Sequence, residues 1–441
     1  MLGTLLGAPL GALLVPQRGL TRRMSAPADL RSWQRRVFLT CWLTYGSFYL
    51  CRVNLSVALP AIQQEFGWSK TVVGLIGSAL FWVYAGGQLI NGQLGDRVRA
   101  RRFVAAGLLI SAALNVAFGF AASLPLMIAI WAVNGYVQSM GWGPIVRTIS
   151  RWFGPQRRGR LSALMGPSYV LGHAGSWLLS GWLLVRFGWR SAFWVPAALV
   201  ALSALHWTVR VRDDPQDVGL DAPEGASARP AAANAGWQGG LRRTFAHPRL
   251  RWAGLVNGAL GIVRGSSTLW APTYLLEALN VDIGGAAVSA VVLPLCGLAG
   301  VLTAGWASDR FHGSRVAPIT ALGVAGLFAS ALATRFLAPW GGLLLAVSLL
   351  GLTAALIHGA GSLLVTVLPL SLSREGGVSS AAGFIDFAGY VGSGVGGLLT
   401  GLLVDGWGWN AMFIFWTLAA VLAMVATVPL WRSEAGAGSP A

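Results

Sequence analysis

The sequence predicts an all-α membrane protein, with twelve transmembrane helices forming two pseudo-symmetric six-helix bundles. Three observations lead there. Of the 441 residues, 55% are hydrophobic and only 11% charged, whereas an average soluble domain carries about 25% charged residues. From Val37 onward, apolar segments long enough to cross a bilayer alternate with short polar loops. Finally, patterns in the first half of the chain return in the same order in the second.

Residues 1–35 form an N-terminal cytoplasmic segment. Its apolar stretch, Leu2 to Val15, is too short to span a bilayer, and no small-residue cleavage site follows it. Met24, with a polar lead-in to Arg35 and Arg36, is a more natural start, which makes residues 1–23 an extension. Spans are expected near 37–60, 72–94, 103–122, 125–148, 160–185 and 191–209, and again near 252–276, 286–307, 316–336, 341–369, 379–404 and 410–430. The first six build a bundle over 36–209 and the second six a bundle over 251–431. The Ala-, Pro-, Gly- and Asp-rich residues 210–250 are a cytoplasmic linker, and 432–441 a cytoplasmic tail.

The formal net charge is +17, and Lys70 is the only lysine. Arginines cluster between spans: Arg97, Arg99, Arg101 and Arg102 after the second, Arg147, Arg151, Arg157, Arg158 and Arg160 after the fourth. The linker, Arg310, Arg315, Arg374 and Arg432 continue the same side, while the opposite loops hold Lys70, Arg186, Arg190 and Arg335. The positive-inside rule then places both termini and the linker in the cytoplasm. This charge serves topology, and no nucleic-acid partner is expected.

Soluble chemistries find no support. Lys70 lacks the glycines of a phosphate loop, the histidines form no zinc-protease pair, and Cys41, Cys51 and Cys296 sit in apolar runs without metal spacing. The glycine run 392–397 lacks a strand–turn–helix context and reads as close helix packing. No enzyme activity, cofactor or metal is expected.

The internal repeat is specific. Gly92-Gln93-Leu94-Gly95-Asp96-Arg97 returns as Gly305-Trp306-Ala307-Ser308-Asp309-Arg310, and Tyr169-Val170-Leu171-Gly172 as Tyr390-Val391-Gly392-Ser393. Arg52 and Arg264 sit at nearly the same offset, each inside an apolar run. Two unpaired arginines at mid-membrane would cost on the order of 5–7 kcal/mol on insertion scales. Asp386 and Glu277 are the intramembrane acids available, and Glu277 lies near the outer end of its span. Two guanidinium forks facing one dianionic phosphate supply charge-assisted hydrogen bonds of about 1.5–3 kcal/mol each. Helical spacing aligns Tyr45, Tyr49, Arg52 and Ser56 on span 1, Asn257, Gly261, Arg264 and Thr268 on span 7, and Gly383, Asp386 and Tyr390 on span 11. Repeats of this kind place the substrate between the halves.

The Gly92–Arg101 pattern G-x-L-x-D-R-x-x-x-R, with its second copy at Gly305, resembles the signature loop of the major facilitator superfamily. Within it, Tyr49–Asn54, Gly141–Thr148, the Asp214-Pro215…Gly219-Leu220 stretch, and Arg264 with Trp270–Leu275 resemble the organophosphate:phosphate antiporter family. The resemblance implies that Arg52 and Arg264 clamp a substrate phosphate. It also implies a gate in which Asp96 and Asp309 pair with arginines such as Arg97, Arg101 and Arg310. Glycerol-phosphate carriers of that family have ionisable residues where this chain has Val53, Gln88, Tyr169 and Leu269. This chain offers Asp386 and His358 instead, and His173 reads as a packed helix residue. Asp386 resembles the intramembrane acid of hexose-phosphate carriers, though Gly389 replaces the lysine that pairs with it there.

The expected function is therefore exchange of a small anionic, phosphorylated metabolite for inorganic phosphate by a monomeric multi-pass carrier of a bacterial inner membrane. The expected substrate-site residues are Arg52, Arg264, Tyr45, Tyr49, Tyr169, His358, Asp386 and Tyr390. An organic anion:proton symporter and a sensor built on the transporter fold are the alternatives.

Overall fold

The computed structural model describes residues 27–224, 247–311, 316–371 and 378–437. Arg315, Arg374, residues 1–26, the remainder of the linker to 246 and residues 438–441 lie outside them.

Span 1 is two helices, α1 (Pro27–Phe48) and α2 (Asn54–Phe66), joined through a 3₁₀ turn at Tyr49–Cys51. Spans 2 and 3 are α3 (Lys70–Arg97) and α4 (Ala100–Phe120). Span 4 is again divided, into α5 (Leu124–Gln138) and α6 (Trp142–Trp152). Helices α7 (Pro155–Phe187) and α8 (Ser191–Arg210) complete the first bundle. The second begins with α9 (Pro248–Ala278), then α10 (Ile283–Ala290) and α11 (Val292–Phe311), which together make span 8. Spans 9 and 10 share α12 (Val316–Ser362), which reverses at Gly342, where a φ of 66° suits a residue without Cβ. Span 10 continues through a π-helical turn, Leu363–Val367, into α13 (Leu368–Ser371). Helices α14 (Val378–Trp407) and α15 (Trp409–Ala437) close the second bundle.

Among the described residues, eight segments are long and apolar enough to cross a membrane on length and composition alone. The other four spans, the first, fourth, fifth and seventh, are α1–α2, α5–α6, α7 and α9. The first and seventh carry Arg52 and Arg264, and the fourth brings Gln138 to Arg52.

Within the second bundle, α9 and α14 approach backbone to backbone. A Cβ on Gly261 would strike the Gly389 carbonyl, and one on Gly392 the Gly258 carbonyl. The run 392–397 is thus a packing stripe, as its composition predicts.

The residues that open the expected linker fold onto the first bundle. Val211 and Leu220 are buried in its core. Arg151 pairs with Asp214 at 3.1 Å, and Trp152 Nε1 donates to the Arg212 carbonyl at 2.9 Å. Asp214 and Asp217 form a reciprocal cap on the turn Pro215–Val218, which Gly219 ends with φ 75°. The Asp-Pro-x-x-x-Gly-Leu stretch is therefore a clasp on the end of α6.

The halves meet through α3 against α14, α2 against α9, and α7 against α10 and α11. Helix α3 runs from Lys70 to the arginine-rich side at Arg97. At its Lys70 end, Lys70 Nζ meets Glu277 at 3.1 Å, and the Lys70 and Thr71 amides donate to the Asp405 carboxylate at 3.0 and 2.7 Å. Thr71 Oγ1 donates to it as well, and Trp409 Nε1 donates to Glu277 at 3.2 Å. Contact along α3 and α14 reaches Tyr84 and Tyr390. Farther toward the arginine-rich side, Ile90, Gln93 and Leu94 of α3 are exposed.

Candidate substrate site

The site is built on the two broken spans. Where span 1 unwinds, the Cys51 carbonyl has no helical partner, and a buried carbonyl requires one. It accepts from Asn134 Nδ2 at 2.8 Å, with Asn115 and Gln138 amides at 3.4 Å. Span 4 ends its first helix at Gln138, and its side chain and carbonyl in turn accept from Arg52: Nε to Oε1 at 3.1 Å, Nη2 to the carbonyl at 3.4 Å. Each break thus supplies the partner that the other lacks. Ser111 ties the cluster together, donating to Asn134 Oδ1 at 2.7 Å and accepting from Gln138 Nε2 at 2.9 Å.

Arg52 is buried, with its guanidinium 4.7 Å from the Tyr49 ring centroid and 4.6 Å from that of Tyr84. The rings of Tyr84, on α3, and Tyr390, on α14, lie 4.3 Å apart, and the Arg264 guanidinium lies over the Tyr390 ring, 5.1 Å from its centroid. Two tyrosines, one from each half, therefore link the two arginines through a chain of ring contacts. Gln88 Nε2 donates to the Tyr84 hydroxyl at 2.9 Å. Arg264 Nη2 is buried without a hydrogen-bond partner in the protein. Gly389 leaves room for it, since a Cβ there would sit 2.9 Å from that nitrogen.

The other expected residues gather round this pair. Tyr45 lies 5.9 Å from Tyr49 and 4.6 Å from Trp142, and Tyr169 lies 6.0 Å from Tyr49. Asp386, one turn before Tyr390, is in the electrostatic field of both arginines but forms no direct ion pair with either. His358 lies in the field of Arg264, with Nδ1 2.8 Å from the Ala354 carbonyl.

Ser56 stays on the side of span 1 that faces α7, beyond the Tyr49 contacts with Tyr169 and His173. Its hydroxyl is used in packing, donating to the Val53 carbonyl and accepting from Trp177 Nε1 at 2.8 Å. His173, read as a packed residue, does pack on Trp177 at 4.4 Å, but it also stacks on Tyr49 at 5.9 Å and its Nε2 is unpartnered. Gln138 and Tyr84 were not expected in the site. The signal for Gln138 was present, because Asn134 and Gln138 are two amides one turn apart in an apolar span.

Of the expected gate, Arg101 is engaged with the first bundle. Its amide donates to Asp213 at 2.8 Å and its Nε to the Thr208 carbonyl at 2.6 Å. Arg97, Asp309 and Arg310 are exposed, and the Asp96 side chain lies outside the described residues.

Residues 41–385 match the Major Facilitator Superfamily. The chain is 30% identical over 417 residues to the glycerol-3-phosphate transporter of Bacillus subtilis, covering 90% of this chain and 92% of that one. It is 26% identical over 422 residues to a probable hexose phosphate transport protein of Chlamydia trachomatis, covering 91% and 92%. Among solved structures, a bacterial homolog of the human lysosomal transporter Spinster, inward-facing and unoccupied, superposes with a TM-score of 0.71 over 92% of this chain and 96% of that one. At 18% identity that likeness speaks for the fold alone. A match across most of the chain, on the same two-bundle architecture, makes this protein a member of the Major Facilitator Superfamily, in the family of the organophosphate transporters.

Proposed function

We propose that the protein is a secondary active transporter that carries a small phosphorylated metabolite across a bacterial inner membrane and exchanges it for inorganic phosphate. The observation that carries this reading is the pair Arg52 and Arg264. They come from opposite halves, share the Tyr84–Tyr390 pair between them, and one presents a buried Nη2 with no partner. Relatives named for hexose phosphate and glycerol 3-phosphate transport support the same substrate class.

No bond is made or broken. A phosphate dianion entering between the guanidinium groups replaces their hydration with charge-assisted, bidentate hydrogen bonds. Tyr45, Tyr49, Tyr169, His358 and Asp386 surround the place where the organic part would lie. With the arginine-rich side in the cytoplasm, the contacts of Lys70 and Thr71 with Glu277 and Asp405 close the outer side, and the site opens inward. Anion binding then draws the halves together and frees the outer contacts. An empty site holding two positive charges reorients slowly, which favours exchange over leak.

The test is phosphate counterflow in proteoliposomes. Arg52→Lys and Arg264→Lys are each expected to abolish it while the purified proteins keep a wild-type elution profile and helix content, because an ammonium cannot reproduce the planar fork. Wild-type exchange in either variant refutes the two-arginine clamp. Phosphate binding to the wild type without flux would replace transport with sensing.

A further inference from the structure

At the arginine-rich end of the first bundle, α1 and α8 bring three arginines together without an acid. Arg36 Nη2 donates to the Val209 carbonyl at 3.4 Å, and Arg212 Nη1 donates to the same carbonyl at 3.1 Å and to that of Val211 at 2.9 Å. Two guanidinium groups sharing one acceptor stand within a few ångströms of each other, and Arg210 adds a third charge from the last turn of α8. Arg36 Nε is buried and unpartnered, and its guanidinium lies 4.4 Å over the Trp33 ring. Burial, then the charges of Arg210 and Arg212, lower the Arg36 pKa from its usual value. The acids that follow are taken: Asp213 accepts from the Arg101 amide and Asp214 pairs with Arg151. Like charges gathered in this way are costly unless an anion joins them.

The surface next to the cluster is apolar. On α1, Leu39 and Leu43 are 47% and 52% exposed and follow Arg36 at the spacing of one helix face. On α8, Leu202, Leu205 and Val209 are 54–61% exposed and share one helix face, and Arg212, just past the helix end at Arg210, folds back onto the Val209 carbonyl. The helices are adjacent, with Ser47 and Ser203 hydroxyls 2.7 Å apart. A charged cluster at the arginine-rich end of the bundle and two exposed apolar stripes running from it along the spans match the parts of one molecule.

We infer that Arg36, Arg210 and Arg212 bind the phosphate of an anionic phospholipid whose acyl chains lie along the exposed leucine stripes of α1 and α8. The stripes select a lipid over a free phosphate, which has nothing to place on them. This site is separate from the Arg52–Arg264 pair and does not depend on how that pair functions.

The experiment uses the purified full chain in detergent and compares wild type with the triple variant Arg36→Gln, Arg210→Gln, Arg212→Gln. Native mass spectrometry measures binding of phosphatidylglycerol and phosphatidylcholine, and thermal unfolding measures the response to inorganic phosphate. Wild type is expected to bind phosphatidylglycerol about tenfold tighter than phosphatidylcholine, and the triple variant to lose that preference, as expected for lost charge-assisted contacts. Inorganic phosphate should shift both proteins equally. The inference is overturned if wild type shows no preference, if the triple variant keeps it, or if the variant loses its response to inorganic phosphate, which would mark a free-anion site. Should the triple variant not fold, Arg212→Gln alone is expected to show a reduced preference, and an unchanged one overturns the inference.

Discussion

A guanidinium near mid-membrane costs about 2.5–3.5 kcal/mol on insertion scales, and Arg52 offsets this with one amide and two aromatic rings. The Gln138 contact leads to a prediction with two arms. Gln138→Leu leaves the Arg52 Nε and the Cys51 carbonyl short of a partner, so it is expected to destabilise the protein by about 1–3 kcal/mol in denaturant unfolding and to reduce counterflow. Gln138→Glu keeps a partner for Arg52 but neutralises its charge. Its carboxylate cannot replace the Nε2 donations to Cys51 and Ser111, so it should also lower the unfolding midpoint, and by neutralising Arg52 it should lower phosphate affinity, read by isothermal titration. The two rings between the arginines allow a second comparison. Tyr84→Phe keeps the ring over Arg52 and should bind phosphate as wild type does. Tyr84→Leu removes a cation–π contact of about 0.5–2 kcal/mol and should lower the unfolding midpoint as well as binding.

Helix continuity was read correctly where composition is uniform and misread where tertiary contacts pull a helix open. Spans 1 and 4 look like single apolar runs, yet each is broken at the level of the site, because the freed carbonyls of Cys51 and Gln138 find side-chain partners across the break. No local propensity encodes this, since each partner lies in another element. The glycine stripe between α9 and α14 is more legible, and it sets a steric limit. Gly392→Val is expected to cost about 1–3 kcal/mol through overpacking, with the unfolding midpoint as readout. At the ends of the elements, Glu65 on α2 accepts from Arg190 at 2.6 and 2.9 Å and from Trp189 at 2.7 Å. Those bonds to Arg190 and Trp189 hold its pKa below the ordinary 4.5. A lowered carboxylate pKa stabilises the fold above the unfolded value, and the contribution is lost as pH falls through the folded value. Glu65→Gln should therefore lower the unfolding midpoint at neutral pH, where the ionised pair contributes, and flatten its further fall below about pH 4.5.

For the whole molecule, the question is what keeps the halves together on one side. Asp405, at the end of α14, accepts from the first two amides of α3 in the other bundle, so a carboxylate from one half caps a helix N-terminus of the other. Lys70 and Glu277 reinforce it at 3.1 Å. Asp405→Asn keeps the size and removes the charge, and is expected to shift the population toward forms open at the Lys70 end. Distances between spin labels on α3 and α14 near that end should broaden to longer values in the variant; an unchanged distribution would show that the cap does not hold the closed form.

The sequence by itself determined the class, the twelve spans, the internal repeat and the two arginines, because hydropathy, loop charge and repeated motifs are written locally and need no contact map. It also marked Asp386, His358 and the tyrosines as candidates. Tertiary structure alone decided that Tyr84 and Tyr390 link Arg52 to Arg264 through ring contacts, that Gln138 holds Arg52 in place, and that the Ser56 hydroxyl is taken up by Trp177. These depend on helix breaks and on the rotation of one helix against another. Both are set by long-range hydrogen bonds and glycine-sized gaps rather than by the period of any single span.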